Sequence, residues 1–148
     1  METYLRSHIP LTAAMDVHVV RAEPSGVVLE APLEPNLNHR DTAFGGSVAA
    51  LAILAGWTLV HRRLHREGIS GRRTVIRSSD VRYVAPVDGA FRATCPAPTP
   101  EAWARFVRML ERKGMARIAI HGEVTCGGTL AATFEGDYVA LGGPDEAS

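Results

Sequence analysis

Three shortages narrow what this sequence can be. There is no excess of either charge: sixteen basic residues stand against sixteen acidic ones. No global field therefore draws the chain to nucleic acid or to an anionic membrane, and electrostatic recognition has to be local. There is no apolar run of membrane length either. The longest, Val48 to Val60, covers 13 residues and includes Gly56 and Thr58, against about 20 needed to span a bilayer, so it predicts a buried helix. Cysteine is scarce. Cys95 and Cys126 are the only two and form no Cys-x-x-Cys pair, which argues against a disulfide framework or zinc knuckle and for plain core thiols. The opening Met1-Glu2-Thr3-Tyr4 has no basic segment leading into an apolar stretch. It does not read as a secretory signal, and a cytoplasmic location is expected.

What is present suits one globular unit. A length of 148 residues, 46% of them apolar, is ample for a core of ordinary size, and a single domain over residues 1–148 is expected. Partial alternation over Val17 to Glu23 and Val27 to Leu33, with Pro24-Ser25-Gly26 between them, predicts a hairpin. Residues 43 to 67 contain no proline and are apolar on every side over 48–57, the pattern of a helix enclosed by other elements. Basic residues near its end and Gly68 after it suit a solvated, capped carboxyl terminus. Further strands are expected over Arg73 to Val84, Ala90 to Cys95, Arg117 to Cys126 and Thr129 to Ala140. The last two are joined by Gly127-Gly128 as a tight hairpin. Thr99-Pro100 opens a second helix, with Trp103, Phe106, Val107 and Leu110 on one stripe and Gly114 at its end. The acidic tail from Gly142 to Ser148 is expected to fray. These elements suggest an α+β hotdog fold, an antiparallel sheet wrapped around one long central helix with the second helix outside. An α+β sandwich with another strand order is the alternative.

The segment from Asn36 to Ser47 joins a polar loop to the start of the buried helix. Amide hydrogens there lack partners within the helix and carry partial positive charge, and Gly45-Gly46 lets a ligand approach the backbone. Such a start can form an oxyanion hole for a thioester, with Asn38 as a further donor. The plainer alternative is that Asn36, Asn38, Asp41 and Thr42 satisfy a turn and cap the helix.

Asn38 followed six residues later by Phe44-Gly45-Gly46 resembles the hotdog thioesterase motif, with phenylalanine where that motif has histidine. Asn36-x-Asn38, Thr42-Ala43-Phe44-Gly45-Gly46-Ser47 and Gly56-Trp57 resemble more closely the YiiD carboxyl-terminal family. Ser79-Asp80-Val81-Arg82-Tyr83 with Pro86-Val87, and Phe134-Glu135-Gly136-Asp137-Tyr138-Val139, resemble that family's later motifs. The resemblance extends from about Ile9 to Ala140. It implies action on acyl thioesters of acyl carrier protein or coenzyme A, either malonyl-thioester decarboxylation or thioester hydrolysis, with a noncatalytic acyl-binding module as the third reading. It implies no cofactor and a homodimer or higher homo-oligomer. By the resemblance Asn38 is the polar catalytic residue and Gly46 lies at the carbonyl, while Asn36, His39, Thr42, Phe44, Gly45, Ser47, Asp80 and Tyr83 are expected around the substrate.

One departure matters. Many hotdog thioesterases carry a carboxylate nine residues beyond the histidine position, and here that residue is Ile53. Decarboxylation needs no such base, whereas hydrolysis would have to recruit Asp41 or Asp80. The basic group Arg62, Arg63, Arg66, Arg72 and Arg73, interrupted by Glu67 alone, is a candidate for the phosphates of coenzyme A or for an acidic carrier, with Arg62, Arg63 and Arg66 as the expected contacts and helix-end solvation as the alternative. His61 and His65 have the spacing of two metal ligands but no His-Glu-x-x-His motif, and the arginines around them oppose a metal. Ser47 lacks the second glycine of a nucleophile elbow and is expected to support the first helical turn.

Overall fold

A computed structural model of the chain describes residues 1–69 and 71–142. Beyond Gly142, the tail expected to fray lies outside the described residues. Two short helices open the chain, α1 at Glu2–His8 and α2 at Pro10–Ala14, and neither is evident from the sequence pattern. The strands β1 (His18–Glu23) and β2 (Gly26–Ala31) make the expected hairpin. The central helix α3 spans Gly45–Arg66 and is followed by β3 (Arg73–Tyr83) and β4 (Phe91–Pro96). Then come helix α4 (Pro100–Lys113) and the long hairpin β5 (Met115–Cys126) and β6 (Thr129–Leu141).

All six strands form one antiparallel sheet in the order β1-β2-β4-β5-β6-β3. This order is that of the hotdog rather than of the alternative sandwich. Among the described residues no helix is long and apolar enough to cross a membrane.

The all-round apolar stretch of α3 does what its pattern demands. Val48, Leu51, Ala52, Leu54, Ala55, Leu59, Val60 and Leu64 are all buried, most of them fully, in one core with Val27, Leu29, Phe91, Ile120 and Phe134 of the sheet. Tyr138 of β6 joins this core. It is fully buried, its hydroxyl donates to the Ile53 carbonyl at 2.6 Å, and a Cβ at Gly56 would lie 2.3 Å from that hydroxyl. Only glycine leaves room for the ring, which gives Gly56 its place in the Gly56-Trp57 motif. Trp57 in turn donates from its indole to the Thr74 carbonyl at 2.8 Å.

Helix α4 is capped as expected, with Thr99 Oγ1 accepting from the Ala102 amide at 3.1 Å and Gly114 in the left-handed region at φ 73°. It packs Trp103, Phe106 and Leu110 into the same core. Cys95 is fully buried, and burial pushes its thiol pKa up to about 12; Cys126 is half-buried. Strand β3 retraces α3 in the opposite sense. Thr74 at its start meets Trp57, and Tyr83 at its end donates to the Gly45 carbonyl at 2.7 Å.

Candidate active site

The polar loop before α3 is closed by its own side chains. Asn36 is buried, and its amide donates to the carbonyls of Met15 at 3.0 Å and Pro32 at 2.8 Å. Its backbone carbonyl accepts from the Phe44 amide at 2.7 Å. Asn38 closes the tip. Its Oδ1 accepts from the amides of Arg40 at 2.8 Å and Thr42 at 3.2 Å, and its Nδ2 donates to Thr42 Oγ1 at 2.8 Å and to the Ala43 carbonyl at 3.3 Å. Asp41 adopts φ 62°, the left-handed turn that an aspartate tolerates better than most residues. An amide from Ala43 to the Val87 carbonyl, 2.8 Å, pins the loop to the end of the sheet.

This loop delivers the helix start with two amides free. Ser47 and Val48 donate to the Phe44 carbonyl at 2.9 and 3.2 Å, while the amides of Gly45 and Gly46 have no acceptor among the described residues. They are the orphan donors of a helix amino terminus, where the dipole favours negative charge. The ring of Phe44 folds back over Gly46, close enough that a Cβ there would sit 2.3 Å from a ring carbon.

Against Gly45 lies a recess of about 300 Å³, walled by Ala43, Gly45, Val48, Tyr83, Val84, Ala85, Pro86, Val87 and Ala131. Its lining contains no carboxylate. Of the recess residues only Gly45 and Tyr83 were expected around the substrate, and Ala43, Pro86 and Val87 entered only as motif positions, because valine, alanine and proline carry no chemical signature by which a pocket could be recognised.

The expected site residues divide. Gly45, Gly46, Phe44 and Tyr83 meet at the start of α3, with Asn38, Thr42, Ser47 and the exposed Asp41 in the adjoining loop and first turn. Asn36 is structural as found, directed into the protein by its two carbonyl partners. His39 is exposed, and its ring meets Arg40 Nε at 3.3 Å. Asp80 pairs in register with Glu135, and both are exposed. It lies on the outer face of the sheet, because Val81 and Tyr83 take the inward positions beside it. As the water-activating base of this recess, Asp80 is on the wrong side of the strand.

Arg62, Arg63 and Arg66 are distant. Gly46 and Arg66 are separated by about 30 Å along the helix at 1.5 Å per residue. The arm from thioester sulfur to phosphorus in phosphopantetheine is comparable to about four extended residues, roughly 15 Å. Within one protomer the two ends of α3 cannot hold the same arm. Arg63 moreover pairs with Glu67 at 3.3 Å and lies 4.4 Å over the Trp103 ring.

Residues 1–142 match the family described as "Putative thioesterase (yiiD_Cterm)". A protein of unknown function from Chlorobaculum tepidum shares 32% identity and superposes with a TM-score of 0.90, covering 95% of this chain and 91% of that one. A "putative thioesterase" from Shewanella oneidensis shares 27% identity at a TM-score of 0.84, covering 95% and 94%. A thioesterase from Haemophilus influenzae, 11% identical at a TM-score of 0.72 over 93% of this chain and 86% of its own, shares the fold. The family match over residues 1–142 and the shared sheet around α3 agree: the chain belongs to the YiiD carboxyl-terminal family of hotdog proteins, described as putative thioesterases.

Proposed function

We propose that the protein decarboxylates a malonyl thioester of acyl carrier protein or coenzyme A, leaving the acetyl thioester. The observation that carries this reading is the start of α3, where the amides of Gly45 and Gly46 are unpartnered and Gly45 walls a recess whose lining has no carboxylate. The bond between the malonyl carboxylate and the adjacent methylene breaks, carbon dioxide leaves, and the electron pair moves to the thioester oxygen as an enolate. Preorganised amides stabilise that charge. Apolar walls leave the departing carboxylate poorly solvated. A proton from water then gives the acetyl group. Asn38 adds a donor by exchanging its longer bond, the 3.3 Å contact to the Ala43 carbonyl, for the thioester oxygen.

A homodimer fits this site. β3 is a sheet edge, and Leu37, Phe44, Val75, Tyr83 and Val84 are large apolar residues exposed on it or beside it. Because β3 runs antiparallel to α3, a second copy paired antiparallel along β3 brings the basic end of its α3 toward this recess. Arg62 and Arg66 then belong to the partner's substrate.

Mass spectrometry of the protein incubated with malonyl-acyl carrier protein or malonyl-coenzyme A is the test. Carbon dioxide with intact acetyl thioester is expected. Malonate with free thiol would instead make it a thioesterase, the reading favoured by the family description and by the Shewanella relative, with Asp41 as the base to examine. No product from malonyl or longer acyl thioesters would favour a noncatalytic binding module.

A further inference from the structure

Strand β5 outruns its neighbour. β4 pairs with it only from Phe91 opposite Cys126 to Thr94 opposite Glu123, and β4 ends at Pro96, which has no amide hydrogen to donate. The chain then turns away: the Ala97 amide donates to the Ser25 carbonyl at 2.9 Å, and Thr99 caps α4. Over residues 115–122, β5 is therefore bonded to β6 on one side and to no strand on the other. Among the described residues, no backbone group of this stretch has a hydrogen-bond partner beyond the β6 ladder. Its only bulge lies further on, between Val124 and Thr125. A regular open edge is a template for another strand. The two outer edges differ: β1 is broken by a bulge between Val19 and Arg21, with Glu2 accepting from the Val19 amide at 2.9 Å, and β3 is the edge given to the dimer above.

The open edge walls a groove of about 770 Å³, within the ~300–1,000 Å³ of ligand clefts. α4 lines it with Ala102, Phe106 and Met109, and residues 96–99 line it as well. Met109 and Met115 are 41% and 57% exposed, and their thioethers adapt to varied apolar partners. An acyl chain would fill the apolar part and leave the N–H and C=O groups of the edge unmatched. An extended peptide matches both, by strand addition. A second copy would not fit as well, because its own β5 edge is flanked by its own α4. Charge narrows the choice further. Arg105, Arg117 and His121 line the groove and no acid does. Arg117 and His121 each face an acid across the strand, Asp137 and Glu135, both at 3.8 Å. Arg105 is exposed and has no ion-pair partner among the described residues, so the uncompensated charge suits a carboxylate.

We propose that the groove between α4 and β5 docks an extended segment of another protein, added as a strand against residues 115–122, with an apolar side chain at Met109 and Met115 and an acidic residue at Arg105. The open edge is about 25 Å long at ~3.3 Å per residue, enough for a strand of ordinary length. The groove shares no residue with the thioester recess. It does not rest on the decarboxylase reading, and pairing along β3 leaves it open.

End-blocked hexapeptides test this, with Val, Ile, Leu, Phe or Met at alternate positions and Glu or Lys between them, titrated into the isotope-labelled full chain. Amide NMR is expected to show saturable shifts over residues 115–122 and 102–109. Glu peptides should bind about fivefold tighter than their Lys counterparts at low salt. Arg105→Glu should reverse that order, which a folding defect would not do. N-methylation of one alternate set of backbone nitrogens in the best peptide should weaken it about tenfold or more, and of the other set hardly at all, because only one set faces the edge. No saturation by any Glu peptide up to about 1 mM, or equal loss from both methylated sets, would overturn the proposal. Sodium dodecanoate shifting the same amides at the best peptide's affinity would give the groove to an acyl chain instead. Shifts that grow with protein concentration alone would give it to a second copy.

Discussion

Gly56→Ala tests how tightly the central helix is locked to the sheet. The added Cβ would lie 2.3 Å from Tyr138 Oη and 2.8 Å from two further ring atoms, and Tyr138 is fully buried with no room to retreat. Overpacking of this kind costs about 1–3 kcal/mol. Displacing the hydroxyl also loosens its 2.6 Å bond to the Ile53 carbonyl, a further ~1 kcal/mol. Alanine recovers about 1 kcal/mol of helix propensity relative to glycine. The net expectation is destabilisation by about 1–3 kcal/mol, read by urea denaturation or as a fall in Tm of about 2–4 °C per kcal/mol. Tyr138→Phe removes the atom nearest the clash, so the double variant should be destabilised less than the two single changes added together, by roughly 0.5 kcal/mol or more. Additive effects, or a Gly56→Ala protein as stable as the wild type, would refute the steric argument.

Asn38→Ala should lower kcat by about 10²–10³ if the side chain reaches the oxyanion. A variant altered in stability but not in turnover would limit Asn38 to closing the loop. Acid should destabilise the protein in two windows. His61 has a folded pKa below the ordinary 6.5, so the unfolded chain takes up the proton first and stability is lost as pH falls through that range. His61→Gln should flatten this part of the profile. Asp16 is held low first by its hydrogen bond to Arg6, so its contribution disappears only as pH falls below the ordinary 3.8. Denaturation midpoints measured between pH 8 and 3 separate the two.

The sequence made α3 legible because no ordinary surface helix is apolar all round, and it made β5 and β6 legible because Ile118, Ile120 and Val124 alternate with exposed residues up to a glycine pair. α1 and α2 were not legible. Each is too short to display periodicity and is held by distant partners: Arg6 by Asp16 at 2.9 Å, Glu2 by the Val19 amide at 2.9 Å, and Tyr4 by stacking near Trp57. Short helices of this kind exist through tertiary contact rather than propensity. The position of the candidate site was legible in Asn38 and Gly45-Gly46, but not the role of the Asn38 amide. A residue type that can donate to a ligand can equally close a turn, and here all its hydrogen-bonding atoms are engaged within the loop. The side of the sheet taken by Asp80 depends on the β-bulge between Ile76 and Ser78, which changes the alternation of β3 and leaves no mark in composition.

Three bonds between side chain and backbone hold α3 at separate heights: Tyr83 to the Gly45 carbonyl, Tyr138 to the Ile53 carbonyl, and Trp57 to the Thr74 carbonyl. Inserting or deleting one residue between Gly45 and Trp57 would turn the remainder of the helix by about 100° and shift it by about 1.5 Å, so the three could not be kept together. Point substitutions can accumulate along this segment wherever volume is conserved. Its length cannot drift. Descendants of this sequence are therefore expected to vary by insertion in the loops before β4 and α4 while keeping the spacing from Gly45 to Trp57 unchanged.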